Sequence, residues 1–301
     1  MTPFIVGLVA FSAVLHLAWN VRLKRAGDPL RAATIGMLAA SVGIVPAGFL
    51  AWWFGGRVAL APDGVVLGLL SGVIEAAYFI LLAAAYRRGD LSVVYPLARG
   101  TAPLLAVAIG VGLFGERLGV AGSLGIVALL LGFLMLQRPW RVLALARGGG
   151  AGVRRAARDS AILFALAAGV MIATYTAIDR VGTRLIDPIP YAAILWATCS
   201  VILVVWVAVV SGGDLLRDGR QVARGAAVGG WLTLVAYLCI LIALSVAPLS
   251  GVAPLRESAS VFAAAWGTVR MGEAADRGEA SRRVAASILI VTGALLLAFG
   301  G

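Results

Sequence analysis

The sequence predicts an all-α membrane protein of ten transmembrane helices, arranged as two inverted five-helix repeats. Three observations lead to this prediction: an apolar composition, ten apolar segments, and motifs that recur in the second half. Of the 301 residues, 61% are hydrophobic and 13% are charged. Soluble domains average about 45–50% apolar and 25% charged residues. The apolar excess is therefore too large for a soluble core.

Ten apolar segments, each close to the roughly 20 residues that a helix needs to cross a bilayer, account for most of the chain. They lie at residues 3–21, 31–53, 64–86, 92–114, 118–137, 160–179, 189–210, 225–246, 250–270 and 283–300. The one long connection, residues 138–159, contains six arginines around three consecutive glycines. Such a composition predicts a flexible linker. We therefore expect a first five-helix repeat at 1–137, a basic cytoplasmic linker at 138–159, and a second repeat at 160–301.

The distribution of basic residues predicts the orientation. The odd-numbered connections, together with the segment end residues that flank them, contain 19 of the 25 Lys and Arg residues, and the even-numbered connections contain four. Because basic loops stay in the cytoplasm, both termini should lie outside, in a multi-pass protein of the inner (plasma) membrane. The net charge of +11 then reflects topology. Nucleic acid is not an expected partner, since no basic stripe with interleaved aromatic residues occurs.

Two motifs recur in the halves. The segment Ser92-Val93-Val94-Tyr95-Pro96-Leu97 aligns with Ser250-Gly251-Val252-Ala253-Pro254-Leu255 at an offset of 158, and Gly115-Glu116 aligns with Gly272-Glu273 at an offset of 157. Because each half has an odd number of spans, the second copy must be inserted upside down. Inverted repeats place a substrate site near the bilayer midplane, where the repeats meet.

A set of segments in both halves carries a family resemblance. These are His16-Leu17-Ala18-Trp19-Asn20, Gly89-Asp90-Leu91-Ser92, Tyr95-Pro96-Leu97-Ala98-Arg99-Gly100-Thr101-Ala102-Pro103, Gly115-Glu116-Arg117-Leu118, Tyr175-Thr176 with Asp179, Ala253-Pro254-Leu255-Arg256-Glu257, and Gly272-Glu273. With these segments the chain resembles the EamA-like group of the drug/metabolite transporter superfamily. The resemblance implies ten helices around a central cavity lined mainly by spans one, three, four, six, eight and nine, and secondary transport or export of metabolites. The second half departs from the pattern before span nine, where Ala247-Pro248 replaces Gly-Asp.

Charged residues inside the spans are the main candidates for substrate binding. They are Glu75, Arg99, Arg256 and Glu257. Each costs about 2.5–3.5 kcal/mol at the centre of an inserted helix, so such residues usually face an interior cavity.

Arg99 lies one helical turn from Tyr95, between prolines that interrupt the backbone hydrogen bonds. In one interpretation Arg99 binds an anionic group of the substrate through its planar guanidinium. In the other it forms a structural ion pair with Glu257, its counterpart in the second repeat.

Glu75 shares a helical face with Tyr78, and the repeat aligns the following Phe79 with Tyr237. A carboxyl group in a low-dielectric interior tends to its neutral form, so Glu75 is a candidate for proton coupling. A structural carboxyl is the equally weighted alternative.

Trp19 and Asn20 share one face of span one with His16, and Tyr175 has a comparable place in span six. Hydrogen bonding between helices is one interpretation of this face, and cavity lining is the other. His16 is the single histidine and has no neighbour at ligand spacing, so no metal site is expected. Glu116 and Glu273 are expected to be structural and to cap the helices that follow them.

The sequence contains no nucleophile–base pair, phosphate loop or metal motif, so neither an enzyme nor a cofactor is expected. The expected function is export of a small polar or amphipathic metabolite by alternating access, with proton coupling left open. The expected partners are the small-molecule substrate and the lipid bilayer, and a homodimer is compatible with the sequence. A flippase for a lipid-linked head group and a non-transport membrane assembly factor are the alternatives.

The charge asymmetry gives a topology prediction. A reporter that is active only in the cytoplasm should be active when inserted at Gly148–Gly150 and inactive when fused after Gly301. Reporter activity in whole cells measures this, and a reporter active only outside the cytoplasm should give the reverse pattern. If both reporters contradict this pattern, the orientation derived from charge is wrong.

Overall fold

The computed structural model describes residues 1–24, 28–57, 59–88, 91–137, 153–212, 215, 219–256 and 277–299. Within these ranges every regular element is a helix. In chain order they are α1 Pro3–Lys24, α2 Pro29–Phe54, α3 Pro62–Arg88, α4 Leu91–Gly112, α5 Val120–Gln137, α6 Val153–Leu185, α7 Pro188–Ser211, α8 Arg220–Val246, α9 Leu249–Arg256 and α10 Arg277–Phe299.

Each of the ten predicted segments overlaps one described helix, and most ends agree within a few residues. The all-helical class is therefore confirmed for the described chain. The predicted linker falls largely outside it, because residues 138–152 are not among those described. Residues 257–270 of the ninth predicted span also lie outside, as do Glu257 and Gly272-Glu273.

The sixth segment was predicted wrongly at its end. We expected it to end at Asp179, because two consecutive charged residues resemble a polar boundary, but α6 continues to Leu185. Asp179 is fully buried and Arg180 is 8% exposed. Asp179 has partners on other helices, and Arg180 has one, Glu116, in the connection between α4 and α5, which allows the charges to remain inside the bundle.

The outer surface of the bundle is apolar. Among the described residues, five helices are long and apolar enough to cross a membrane, within Pro29–Phe54, Pro62–Arg88, Ser160–Leu185, Pro188–Val210 and Arg220–Val246. Shorter apolar stretches occur in α1, α4, α5 and α10. Large side chains point outward, such as Val42, Val120 and Val209 with exposures of 75%, 81% and 79%. A multi-pass membrane protein follows, with this surface facing lipid.

Helices from the two halves of the sequence are packed against each other. Helix α3 packs on α6 and α7, and α8 packs on α1 and α2. Three further pairs join α2 with α7, α4 with α9, and α5 with α10. The largest fully buried side chain is Trp196 of α7, which belongs to the core between these helices.

Small residues set the closest helix contacts. A Cβ at Gly230 of α8 would lie less than 3.0 Å from the backbone carbonyl group of Gly36 in α2. Such separation leaves no room for a side chain, and small residues commonly permit this approach in membrane bundles.

Replacement of Gly230 should therefore destabilise the protein. Gly230→Ala forces α8 away from the backbone of α2, and overpacking of this kind costs about 1–3 kcal/mol. Gly225, on the same helix, has nothing within 4 Å of a built Cβ, so Gly225→Ala should be neutral or slightly stabilising. Thermal unfolding of both variants in detergent measures the difference. Equal midpoints would contradict the close α2–α8 packing.

Candidate functional site

A buried carboxylate joins three helices at the centre of the candidate site. The Tyr191 hydroxyl of α7 donates to Asp179 Oδ1 at 2.8 Å, and the Tyr237 hydroxyl of α8 donates to Asp179 Oδ2. Ser71 of α3 lies beside the same carboxylate. Hydrogen bonds to an ionised acceptor are roughly twice as strong as neutral ones. They offset the cost of burying Asp179, which therefore has its full complement of structural partners.

Four aromatic rings form a continuous row next to this carboxylate. Tyr78 and Tyr175 have centroids 6.1 Å apart, Tyr175 and Tyr237 5.8 Å, and Tyr237 and Trp196 5.7 Å. The first two contacts are edge-to-face, a favoured geometry for aromatic pairs. The row, here called the aromatic row, runs through α3, α6, α8 and α7.

Several buried polar atoms near the aromatic row have no hydrogen-bond partner within the described chain. Glu75 is 4% exposed, and its Oε2 has none. The same holds for the Thr233 hydroxyl and the Trp196 indole nitrogen. Glu75 lies within electrostatic range of Asp179 and of Cys199, one turn from Trp196. Since most buried side-chain polar atoms are satisfied in native proteins, this group of atoms indicates a place for a ligand or water.

Two buried arginines lie within electrostatic range of Tyr175 in the aromatic row. Arg99 of α4 is 5% exposed and donates to His16 Nε2 of α1. A guanidinium can only donate, so this imidazole nitrogen carries no proton and His16 does not add a second charge there. Arg256 of α9 is 7% exposed, and its guanidinium carbon lies 5.0 Å from the centroid of the Tyr237 ring. This is a cation–π contact.

The Tyr175 hydroxyl is the common neighbour of both charge types. Glu75, Arg99 and Arg256 all interact with it electrostatically. The site therefore contains both a buried carboxyl group and two buried guanidinium groups, and Arg256 also lies within electrostatic range of Glu75. Its side chains come from α1, α3, α4, α6, α7, α8 and α9.

Glu116 makes a separate contact at the end of α4. Its carboxylate accepts from the backbone N–H groups of Leu249 and Ser250 at 2.7 and 2.9 Å, and from the Ser250 hydroxyl at 2.6 Å. Arg180 Nε lies 3.7 Å from Glu116 Oε1. We expected Glu116 to cap the helix that follows it, α5. It instead caps α9 of the other half, because Gly115 has φ +63° and turns the chain there. We call this contact the Glu116 clamp.

The structure brings together most of the predicted site residues. Around the Tyr175 ring lie Glu75, Tyr78, Arg99, Arg256 and Tyr237.

The other predicted residues lie elsewhere or cannot be placed. Trp19 belongs to a separate apolar cluster with Ala32 and Ala226 and leaves no space for a side chain at Gly229. The side chains of Asn20 and Tyr95 are not part of the described structure, and Glu257 lies outside it.

Three residues of the site were not among the predicted site residues. Asp179 lies one turn after Tyr175 and was grouped with it in span six, but it was placed at the end of that span. Tyr191 and Trp196 gave no local signal, because their positions follow from the packing of α7 against α3, α6 and α8.

Comparisons with known proteins agree with this architecture. Residues 159–299 match the EamA-like transporter family. Over 72 residues the chain is 42% identical to the spermidine export protein MdtI of Shigella flexneri and 40% identical to that of Shigella dysenteriae serotype 1. Each match covers 24% of this chain and 66% of the relative, so the chain spans just under two thirds of these relatives' length.

The fold as a whole also has a solved counterpart. A crystal structure of another protein, 20% identical in sequence, has a TM-score of 0.72 and covers 98% of this chain and 96% of that chain. At this identity the similarity concerns the fold.

The Glu116 clamp predicts a large effect of its removal. Glu116→Ala removes the acceptors for the first N–H groups of α9 and leaves Arg180 buried without its counter-charge. Loss of one partner of a buried pair costs about 3–5 kcal/mol. Asp187→Ala is the matched control, because Asp187 precedes α7 but makes no side-chain cap hydrogen bond. Thermal unfolding in detergent should show a large loss for the first variant and almost none for the control.

A second substitution separates the two contributions. Arg180→Met added to Glu116→Ala removes the unpaired charge and should restore part of the lost stability. No restoration would mean that the ion pair contributes little and that the capping hydrogen bonds account for the effect.

Proposed function

We propose that the chain, whose residues 159–299 match the EamA-like transporter family, is a transporter of the drug/metabolite transporter superfamily that exports a small polar or amphipathic organic molecule by alternating access. The observation that carries the proposal is the group of unsatisfied polar atoms beside the aromatic row, above all Glu75 Oε2. A protein that only assembled other membrane proteins would gain nothing from leaving such atoms unpaired in its interior.

Alternating access requires two halves that rock around a shared site, and the helix packing supports two inverted repeats. If the two halves are repeats, each helix of α1–α5 corresponds to the helix five places later in the chain. Under this correspondence the α3–α6 pair becomes α8–α1, and the α3–α7 pair becomes α8–α2. The same correspondence maps α2–α7, α4–α9 and α5–α10 onto themselves. All of these pairs are observed. This is the pattern expected of a pseudo-two-fold axis between the halves.

Individual contacts follow the same symmetry. Ser41 Oγ and Ser200 Oγ, 159 positions apart, lie 2.8 Å from each other between α2 and α7. In the α5–α10 pair, a Cβ at Gly132 would lie 2.7 Å from the carbonyl oxygen of Ala286, and a Cβ at Gly293 would lie 2.5 Å from that of Gly125. A shift of 161 positions exchanges these two contacts, which supports the repeat.

Direction and location follow the relatives. The proteins named as spermidine exporters provide the argument for export, and with it for the inner membrane, from the cytoplasm outward. They also make polyamines one of the compound classes to test.

Glu75 is our proposed site of proton coupling. It is faced by Asp179 of α6, Arg256 of α9 and Cys199 of α7, and it shares the site with Tyr175 and the other tyrosines of the aromatic row. A buried carboxyl group that gains a proton when the substrate leaves would couple the movement of protons to the movement of substrate. Replacement by Gln keeps the shape and removes the titration.

The transport proposal is tested by flux in proteoliposomes. Wild type should export at least one compound from a panel of amino acids, organic acids, sugars, nucleotides and polyamines. Arg99→Gln and Glu75→Gln should insert and fold but lose at least tenfold in flux, since each removes a charge from the site. Arg224→Gln, at an exposed position of α8, is the matched control and should retain wild-type flux.

Two outcomes would contradict the proposal. Unchanged flux in both Arg99→Gln and Glu75→Gln would mean that this site does not take part in transport. Absence of flux for every soluble compound, with a lipid-linked head group moved between leaflets instead, would favour the flippase.

A further inference from the structure

The Glu116 clamp joins the two halves of the chain at the end of the bundle where α4 ends and α9 begins. Glu116 belongs to the first half, and its partners Leu249, Ser250 and Arg180 belong to the second. The side chains of Glu116 and Arg180 are only 8% and 10% exposed, so little water reaches these contacts. The clamp therefore closes the space between α4 and α9 at this end.

The local backbone holds Glu116 in this position. Its N–H donates to the carbonyl oxygen of Gly110 at 3.0 Å, so the chain folds back over the end of α4. A Cβ at Gly110 would lie 3.0 Å from the backbone nitrogen of Ser250 and 3.1 Å from its Cβ. Because glycine has no side chain, the first turn of α9 lies directly against α4. The contact thus combines a close backbone approach with exchangeable hydrogen bonds to one carboxylate.

The clamp differs in symmetry from other contacts between the halves. In the α5–α10 pair the contact is made twice, by Gly132 with Ala286 and by Gly293 with Gly125. Under the proposed repeat, an exchange of the two halves leaves this pair of contacts unchanged, so it can persist in both states of a transporter. The clamp lies at one end of the bundle, and the same exchange moves such a contact to the opposite end. Contacts of this second kind must break when the site opens toward their own end.

The clamp is also connected to the candidate site through two helices. On α6, Arg180 directly follows Asp179, whose carboxylate accepts from the Tyr237 hydroxyl. On α9, the eight residues from the clamp to Arg256 are all buried and span about 10 Å at 1.5 Å per residue. Arg256 contacts the Tyr237 ring. A movement of α6 or α9 that changes the contacts of Tyr237 therefore also moves a partner of Glu116.

We propose that the Glu116 clamp is the gate at this end of the bundle: it is closed in this structure and opens when substrate leaves the site between the halves. The inference rests on the proposed transport by alternating access. The orientation predicted from charge places this end outside, so the clamp is the exit gate of an exporter. Opening admits water, which replaces the Glu116 oxygens at the first N–H groups of α9 and solvates Arg180.

A disulfide at the clamp tests whether this end must open during transport. In Gly110→Cys/Ser250→Cys the two Cβ atoms are 3.1 Å apart, close to the roughly 3.5–4.5 Å of natural disulfides. The matched control is Gly132→Cys/Leu289→Cys, with a Cβ separation of 3.0 Å in the α5–α10 contact. Both variants lack the two native cysteines, which are buried. Flux of a compound that the wild type exports is compared between oxidised and reduced samples of each protein in proteoliposomes.

Oxidation should lower the flux of the clamp variant at least tenfold, and a reductant should restore it, because the cross-link holds α9 on α4. The control variant should transport equally well when oxidised and when reduced. If the clamp variant is fully cross-linked and still transports at its reduced rate, the clamp is not a gate.

A second measurement, the alkylation of a buried cysteine, needs no transport. Val252 of α9 is fully buried within one turn of the clamp, so a water-soluble thiol reagent should reach Val252→Cys slowly. Glu116→Gln keeps the shape of the side chain and removes its charge, and it should raise the alkylation rate at least tenfold by opening this end. Asp187→Asn is the matched control at the same end, because Asp187 makes no side-chain cap hydrogen bond. Ile290→Cys, buried between α5 and α10, reports loss of folding and should react slowly in every variant.

The outcomes separate the gate from the proposed function. If the wild type and the cross-linked clamp variant both transport, the gate inference is wrong and transport stands. If no compound crosses the membrane even with the wild type, the transport proposal fails, and the alkylation rate at Val252→Cys alone decides whether the clamp holds this end closed. An unchanged rate in Glu116→Gln rejects the gate. A rate that rises equally at Val252→Cys and Ile290→Cys also rejects it, because the clamp then supports only the fold.

Discussion

The polar interior of this protein depends on one constraint: a charge within the hydrocarbon region needs a partner from the protein itself. Asp179 meets the constraint through the hydroxyl groups of Tyr191 and Tyr237, which fix α7 and α8 against α6. The next residue, Arg180, meets it through Glu116. Glu116 follows α4 and also binds the start of α9. Two consecutive charged residues of α6 are thus connected to α7, α8, the end of α4 and α9.

This arrangement connects the site to the Glu116 clamp. A helix is rigid over a single peptide unit, so a rotation or translation of α6 at Asp179 also moves Arg180. In a bilayer the first N–H groups of α9 have no water to bind and need an acceptor from the protein. An opening of the bundle between α4 and α9 would therefore require a replacement for the Glu116 oxygens. If the protein works by alternating access, as we propose, the Glu116 clamp is a contact that would break and form again during the cycle.

The fold was largely predictable from sequence, because long apolar segments and basic loops are strong local signals. The residues Glu75, Arg99 and Arg256 could also be predicted, since charge is rare in such segments. The fate of Asp179 and Arg180 could not: a charge at the edge of an apolar run is buried or exposed according to partners that lie elsewhere in the chain. The same holds for Glu116, whose acceptors serve a helix more than 130 residues away. The repeat indicated that both Gly-Glu motifs matter, but the local sequence suggested the wrong helix.

The carboxyl groups of Asp179 and Glu75 differ in their hydrogen-bond partners. Both are buried carboxylic acids on neighbouring helices within electrostatic range of each other. Both oxygens of Asp179 accept hydrogen bonds from tyrosine hydroxyl groups, so a ligand that bound Asp179 would have to displace one of these donors. Glu75 has an oxygen without a hydrogen-bond partner in the described chain, and it lies in the same site as the aromatic row and the Arg256 guanidinium. Folding alone would favour an apolar residue at this position, because an unsatisfied buried acceptor costs stability. This cost is consistent with our proposal that a partner binds the carboxyl group of Glu75 and leaves.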